Sequence, residues 1–293
     1  MAKKIFITGG AGFIARNLFE DLKDEYNVVS CKREELDLLD SMRVFDYIKN
    51  NSFDVIIHTA TYDAAPKNST KDPNKVLEYN LKMFFNIVRC KDYFGKMIYF
   101  GSGAEYDRRC WIPKMREEYF DRYPPQDQYG FSKYVMTKYI QLTDKIYNLR
   151  LFAVFGKYED WRYRFISNVC CKVVLDLPII INQDKIFDFL YVKDLVKIVK
   201  WFIENDPKRK VYNVCSGIAY SFSCISRKIL EIAKKDLEII IKDKNSIEYS
   251  GAHSYLLEEL GNFEFTPIDE SLKELYSWYE TNKHMINKDE FHY

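Results

Sequence analysis

A phenol and an ammonium four residues apart are the clearest chemistry in this chain. Tyr129 and Lys133, in the segment Tyr129-Gly130-Phe131-Ser132-Lys133, stand one above the other at the i,i+4 spacing of a helix face. A neighbouring cation favours phenolate, so Lys133 is expected to bring the Tyr129 pKa down from about 10, each unit being worth about 1.4 kcal/mol. Such a tyrosine can give or take a proton at a hydroxyl or a ketone near neutral pH. Chance matches must be discounted, because the chain has 23 tyrosines and Y-x-x-x-K recurs at Tyr134/Lys138 and Tyr279/Lys283. Tyr134 lies roughly 140° around the helix from Tyr129, so the two cannot face one pocket. The second and third pairs read as surface charge beside half-buried rings.

The elements that must position the first pair begin at the N-terminus. Residues 4–8 read as a buried strand, Gly9, Gly10 and Gly12 as a tight turn, and a helix opens near Gly12. Glycine permits positive φ and lets backbone N–H groups approach a ligand. The helix N-terminus adds unpaired donors and partial positive charge for a pyrophosphate. In this context the glycines read as the cradle of a Rossmann dinucleotide-binding unit. Further strands are expected at 26–31, 53–58, 96–101 and 147–154, with helices at 41–50 (Ser41 able to cap it), 73–92 and 127–144. The alternation implies an α/β fold with a doubly wound parallel sheet. Right-handed crossovers then put the glycine turn, the small residues Thr59, Ala60 and Thr61, and Ser102 on one rim. His58 reads as packed against the sheet, and 63–72 as a polar loop.

Residues 103–125 are long for a connection, which favours a lid or substrate loop. Beyond Phe155 the alternation breaks down, with helices expected at 164–174, 193–204, 221–234 and 269–282 and short strands near 178–181 and 211–214. The expected division is a dinucleotide-binding domain over 1–155 and a smaller C-terminal substrate lobe over 156–293, with segments returning to the main sheet. The last ten residues read as a polar tail.

An acidic residue about 20 positions past the glycines usually binds the ribose 2′-hydroxyl, and basic replacements admit a 2′-phosphate. That place holds Ser30, Cys31, Lys32 and Arg33, with Arg16 nearby on the helix. The rule favours NADP(H), with NAD(H) as the alternative; Lys32 and Arg33 also read as solvated loop charges.

Bulk properties exclude several classes. In 293 residues, 44 basic side chains against 43 acidic leave a net charge of +1, so no electrostatic footprint for nucleic acid is present. No apolar run reaches the roughly 18 residues of a membrane span, and no early segment has signal-peptide form. The expected location is the cytoplasm. Seven scattered cysteines without C-x-x-C spacing read as core hydrophobes of a reducing compartment, and no zinc site is expected.

Thr8 followed by Gly9-x-x-Gly12-x-x-Ala15 resembles the TGxxGxxG/A fingerprint of the extended short-chain dehydrogenase/reductase family. Ser102, 27 residues before Tyr129, together with Tyr129 and Lys133 resembles its Ser/Tyr/Lys triad. FDFLYVKDL (187–195) is similar to the family's RDFIYVDDV, YNVCSG (212–217) to YNVGSG, and LLEELG…FTPIDESLKELYSWY to its C-terminus, so the likeness spans nearly the whole chain. The resemblance implies that Thr8, Gly9, Gly10, Gly12, Phe13, Ile14, Arg16 and Thr59 to Thr61 surround the dinucleotide. It implies that Ser102 hydrogen-bonds the reacting oxygen and orients Tyr129, and that Lys133 holds the nicotinamide ribose. Asn80 is a fourth candidate, equally readable as structural. ELDLLD (35–40) resembles the adenine-contacting segment of the GDP-fucose synthase-like and dTDP-4-dehydrorhamnose reductase-like branches, which implies that Asp37 and Leu38 flank the adenine; on spacing alone Asp37 is a loop acid.

Departures narrow the chemistry. Dehydratases of the family follow the triad hydroxyl with an Asp-Glu pair, where this chain has Gly103 and Ala104. Epimerising reductases use a cysteine at the place of Ala104 and a histidine after strand five, but no histidine lies between His58 and His253. The arginine of RDFIYV is Phe187. What the resemblance leaves is hydride transfer at one carbon: NADPH-dependent reduction of the C4 ketone of a nucleotide-linked 4-keto-(6-deoxy) sugar, without C3/C5 epimerisation. The alternatives are a nucleotide-sugar 4-epimerase with retained NAD and a non-catalytic NADP(H) sensor. Ser102, Gly103 and Ala104 would meet the sugar. Arg162, Arg164, Asn168 and Lys172 are candidates for the diphosphate, and read equally as solvated helix-face groups. The family often dimerises through the helices before and after the lid, so a homodimer through 73–92 and 127–144, with Tyr134 on that face, is the expectation; no nucleic-acid or membrane partner is expected.

Overall fold

The computed structural model describes residues 2–64 and 69–291. Residues 65–68 of the expected polar loop and 292–293 of the expected tail lie outside the described residues. The first half runs β1 (Lys4–Thr8), α1 (Phe13–Leu22), β2 (Asn27–Cys31), α2 (Ser41–Asn51), β3 (Phe53–His58), α3 (Val76–Val88), β4 (Phe94–Ser102), α4 (Gln128–Ile140) and β5 (Ile146–Leu151). The second half runs β6 (Ala153–Phe155), α5 (Phe165–Val174), β7 (Ile179–Ile181), β8 (Ile186–Tyr191), α6 (Val192–Glu204), β9 (Val211–Val214), β10 (Ala219–Ser221), α7 (Phe222–Ala233), β11 (Ile239–Ile241), β12 (Glu248–Tyr249), α8 (Ser254–Leu260) and α9 (Ile268–Thr281).

Runs such as Ile5-Phe6-Ile7 and Val55-Ile56-Ile57 are buried on both faces, as strands covered by helices on each side require. They form a parallel sheet in the order β2-β1-β3-β4-β5-β9. The order reverses between β1 and β3, and the crevice at that switch point is where open α/β sheets bind ligands. The fold is therefore a Rossmann-like α/β sheet, with β6, β8, β10 and β12 building a smaller sheet beyond its rim and β7 pairing with β11. Among the described residues no helix is long and apolar enough to cross a membrane.

Four expectations change. The fifth strand stops at Leu151, because the chain leaves the main sheet so that β6 can pair with β8. The helix expected at 73–92 begins at Val76 after a single 3-10 turn at Pro73–Lys75 and ends at Val88. Asp40 rather than Ser41 caps α2, its carboxylate accepting from Arg43 N at 3.0 Å. The C-terminal segment is no polar tail, since Ile286 and Phe291 are buried and Phe291 packs on Trp161 with ring centroids 4.9 Å apart.

One ion pair sits inside the sheet layer. Arg150 of β5 and Glu105, just past β4, both have fully buried side chains, with Arg150 Nε 2.7 Å from Glu105 Oε2. Arg150 Nη1 also donates to Tyr106 Oη (2.6 Å) and Asn213 Oδ1 (3.0 Å). Asn148 Nδ2 donates to Glu105 Oε1 (3.0 Å) and to Thr137 Oγ1 of α4 (2.7 Å), while Asn148 Oδ1 accepts from Gly101 N (2.9 Å). Burying such a pair costs desolvation, and removing one partner leaves a stranded charge at about 3–5 kcal/mol. Glu105→Gln should therefore lower unfolding free energy by about that amount in urea titrations, and Glu105→Gln with Arg150→Met should recover most of it; equal losses in both proteins would contradict the pairing.

Candidate active site

The glycine turn is shaped by close approaches. Gly9 has φ +68°, and a Cβ there would lie 3.0 Å from Ala60 Cα. A Cβ on Gly10 would meet Ser30 Oγ at 2.6 Å and the Cys31 carbonyl at 3.2 Å. Gly12 caps α1 without a side-chain hydrogen bond, so the first N–H groups of that helix keep their donors for an anion. The buried Thr8 ties this turn to the end of β3: its Oγ1 accepts from Thr59 N (3.2 Å) and Ala60 N (3.1 Å) and bonds His58 Nδ1 (2.9 Å). His58 is wholly buried there, and desolvation pulls its pKa down to about 3, so it packs as a neutral ring. Asn80 clamps the next residues, accepting from Tyr62 N (2.8 Å) and donating to Tyr62 O (2.9 Å). Donors at a helix start and backbone that a Cβ would obstruct fit a dinucleotide pyrophosphate.

The residues at the adenosine end separate. Lys32 and Arg33 are exposed, and Arg33 reaches Asp37 at 3.4 Å. Leu38 is buried with Leu36 and Val44 in the core, leaving Asp37 as the half-exposed member of its pair. Arg16 lies with its guanidinium 3.7 Å from the Tyr158 ring centroid.

The catalytic candidates converge on the rim. Gly130 brings α4 against the turn after Ser102, where a Cβ would stand 2.5 Å from Ala104 O, and Asp127 caps the helix by accepting from Gly130 N at 2.8 Å. Ser102 Oγ accepts from Ala104 N at 3.1 Å and its own N–H donates to Glu105 Oε1 at 3.1 Å. The Tyr129 hydroxyl shares the cavity wall with Ser102, which pulls its pKa down slightly. Lys133 is buried, donates from Nζ to Phe100 O at 2.8 Å, and stands 5.7 Å from the Tyr129 ring centroid.

This geometry corrects the expectation that Lys133 depresses the Tyr129 pKa. Desolvation by burial, with Asp63 adding to it, pushes the phenol up to about 12 against the smaller pull of Arg164 and Ser102. Burial brings Lys133 down to about 8. Tyr129 in the free protein is thus a phenol, ready to give a proton. The other Y-x-x-x-K pairs do different work: Tyr134 and Lys138 both bind Asp121, and Tyr279 is a core residue rather than a half-buried surface ring.

Ser102, Tyr129 and Lys133 line a cavity of about 1070 Å³ that also takes in Phe13, Ile14, Thr59 and Thr61 on one side and α5 with β7 and β8 on the other. Arg162, Arg164, Asn168 and Lys172 all reach its wall. Arg162 is engaged by Asp160 (2.8 Å) and Glu290 (3.1 Å), Asn168 donates to Trp161 O (3.0 Å), and Lys172 is buried. The insertion after Ser102 is a fastened wall, with Met115 N on Ser250 O (3.0 Å) and Ala252 N on Met115 O (2.9 Å). Sequence reasoning missed Glu105, Glu159 and Tyr249. Glu159 lies buried in the cavity wall, where desolvation raises its pKa to about 7. Glu105 closes a Ser102-x-x-Glu105 capping box, a spacing that could have singled it out; Glu159 and Tyr249 sit in no such spacing.

Residues 5–215 match the NAD dependent epimerase/dehydratase family. The chain belongs to that family. A curated relative, GDP-6-deoxy-D-talose 4-dehydrogenase of Aggregatibacter actinomycetemcomitans, is 27% identical over 289 residues, covering 93% of this chain and 97% of the relative. Among solved structures, the NADP-bound GDP-mannoheptose C4 reductase of Campylobacter jejuni superposes with TM-score 0.83 at 20% identity over 95% of this chain and 98% of that one. UDP-glucose 4-epimerase of Thermotoga maritima, with UDP-glucose, gives 0.82 at 20% identity over 97% and 100%. Family membership makes the protein an NAD(P)-dependent enzyme of nucleotide-sugar epimerase and reductase type.

Gly9→Ala should cost about 1–2 kcal/mol from its left-handed φ and push against Ala60, so calorimetric titration should find dinucleotide affinity reduced at least about tenfold. Unchanged affinity would mean the cradle lies elsewhere.

Proposed function

We propose that this protein reduces the C4 ketone of a nucleotide-linked 4-keto-6-deoxy sugar with NADPH, without epimerising C3 or C5. The observation that carries the reading is the convergence of Ser102, Tyr129 and Lys133 on one wall of the cavity, with burial holding the Tyr129 pKa up. Reduction of a ketone needs an acid at the new alkoxide, and a phenol is that acid.

Bound NADPH supplies the hydride. Thr8 and the glycine turn hold the dinucleotide backbone, and Lys133 stands at the sheet rim, placed to hold the nicotinamide ribose. Ser102 donates to the ketone oxygen, holding it toward Tyr129, which passes its proton to that oxygen as charge develops. Arg164, Asn168 and Lys172 are the groups for the diphosphate, and the exposed Lys32 and Arg33 for a 2′-phosphate. At Gly103, a Cβ would stand 2.4 Å from Tyr249 Oη, so the first carboxylate of a dehydratase pair has no room. The curated relative and the Campylobacter neighbour are both named for chemistry at C4, which supports the same carbon here. Phe85 and Phe131, each 37% exposed on α3 and α4, support a homodimer through those helices.

A panel of 4-keto nucleotide sugars with NADPH and NADH tests the reading: the expected result is cofactor oxidation with NADPH preferred. Interconversion of an ordinary nucleotide sugar without added cofactor would replace it with a 4-epimerase. Tyr129→Phe should remove nearly all turnover, by the 10²–10⁴-fold or so typical of general acid loss, while leaving cofactor affinity intact.

The pH dependence has a fixed sign. The reductive form carries an ammonium at Lys133 and a phenol at Tyr129, and both persist from neutrality up to about pH 8. kcat/KM for reduction should then fall as pH rises through about 8, where Lys133 loses its proton; a rise across that range would show that phenolate is the working form.

A further inference from the structure

A second phenol reaches the same serine. Tyr249, on the two-residue strand β12 that pairs with β8, is only 8% exposed and lines the cavity. Its ring is fixed by Trp111 (centroids 4.4 Å apart), Phe152 (4.9 Å) and Phe187 (5.2 Å). Its hydroxyl crosses over Gly103, the neighbour of Ser102, closely enough that a Cβ at 103 would stand 2.4 Å from Oη. That places it beside Ser102 on the cavity wall, and burial raises its pKa, so it stays protonated.

A serine hydroxyl has one proton and two acceptor lone pairs. Ala104 N–H already donates to Ser102 Oγ at 3.1 Å. We propose that Tyr249 is a positioning residue for the reaction: its O–H donates to the remaining lone pair of Ser102 Oγ, which commits the serine's own proton to the reacting oxygen. With both acceptor sites filled, Ser102 has one productive orientation, and donation into its oxygen strengthens it as a donor. The aromatic clamp of Trp111, Phe152 and Phe187 keeps the second phenol at that place when substrate enters. The proposal rests on Ser102 standing at the reacting oxygen, whichever activated sugar the enzyme turns over.

A double-mutant cycle of Tyr249→Phe and Ser102→Ala tests it, read as single-turnover rate on the substrate the wild-type protein accepts. Tyr249→Phe keeps the ring packing and should slow the chemical step about tenfold, the loss of one hydrogen bond in the transition state. KM, NADPH affinity and thermal midpoint should stay unchanged. In the Ser102→Ala background the same change should have almost no further effect. Additive losses would assign Tyr249 to direct substrate contact and overturn the proposal, as would an undiminished rate or a loss accompanied by lower stability. A protein that epimerises rather than reduces would refute the 4-reductase reading yet still run this cycle on its own reaction. Crystal structures of wild type and Tyr249→Phe decide the matter without turnover: the serine should face Tyr249 Oη at about 3 Å in the first and turn toward Tyr129 in the second, and a Ser102 rotamer identical in both would overturn the proposal.

Discussion

The rim that carries the catalytic candidates stands on a fully buried charge pair. Arg150 and Glu105 share a hydrogen-bond network that joins β4, β5, β9 and α4, and the carboxylate of Glu105 also receives the backbone N–H of Ser102. A buried pair of this kind contributes little net stability relative to apolar packing, so its value lies in geometry. It holds the end of β4 at a set distance from the helix that carries Tyr129 and Lys133. A Cβ at Gly101 would stand 2.1 Å from Glu105 Oε1, so the network also dictates the glycine before the serine.

From that anchor the remaining positions follow by short steps. Thr137, one helical turn beyond Lys133, receives Asn148, which in turn holds Gly101. Gly130 lets the start of the same helix touch the Ala104 carbonyl, and Thr8 fastens the glycine turn to the end of β3. The site is built from backbone ends of strands, with side chains from the sheet interior setting their spacing. The desolvation that comes with this arrangement raises the Tyr129 pKa against the pull of Arg164, while the Lys133 ammonium is turned toward Phe100 O.

Much of this was legible in the chain because periodicity and glycine carry local information. Strand runs such as Phe53 to His58, the glycine turn and the Tyr129/Lys133 spacing depend on neighbours in sequence, and the alternation of strands and helices then puts the strands' carboxyl ends on one rim. What could not be read depends on distant residues meeting. Leu38 falls in the core because α2 and α3 close over it, and Tyr249 reaches the serine only because β12 pairs with β8 at Phe187. The direction of the Tyr129 shift was misjudged for the same reason. Spacing reports that a cation is near in sequence, whereas burial depends on the whole cavity wall.

The contact between Gly103 and Tyr249 also bears on how such a site can change through evolution. A side chain at 103 becomes admissible only after 249 has been shortened, and shortening 249 first empties the space between Trp111 and Phe152. Either substitution alone passes through a poorer protein, so the two positions are epistatic. The sugar chemistry available to descendants of this chain is accordingly set by the order in which mutations arrive, and not only by which residues would finally suit another reaction.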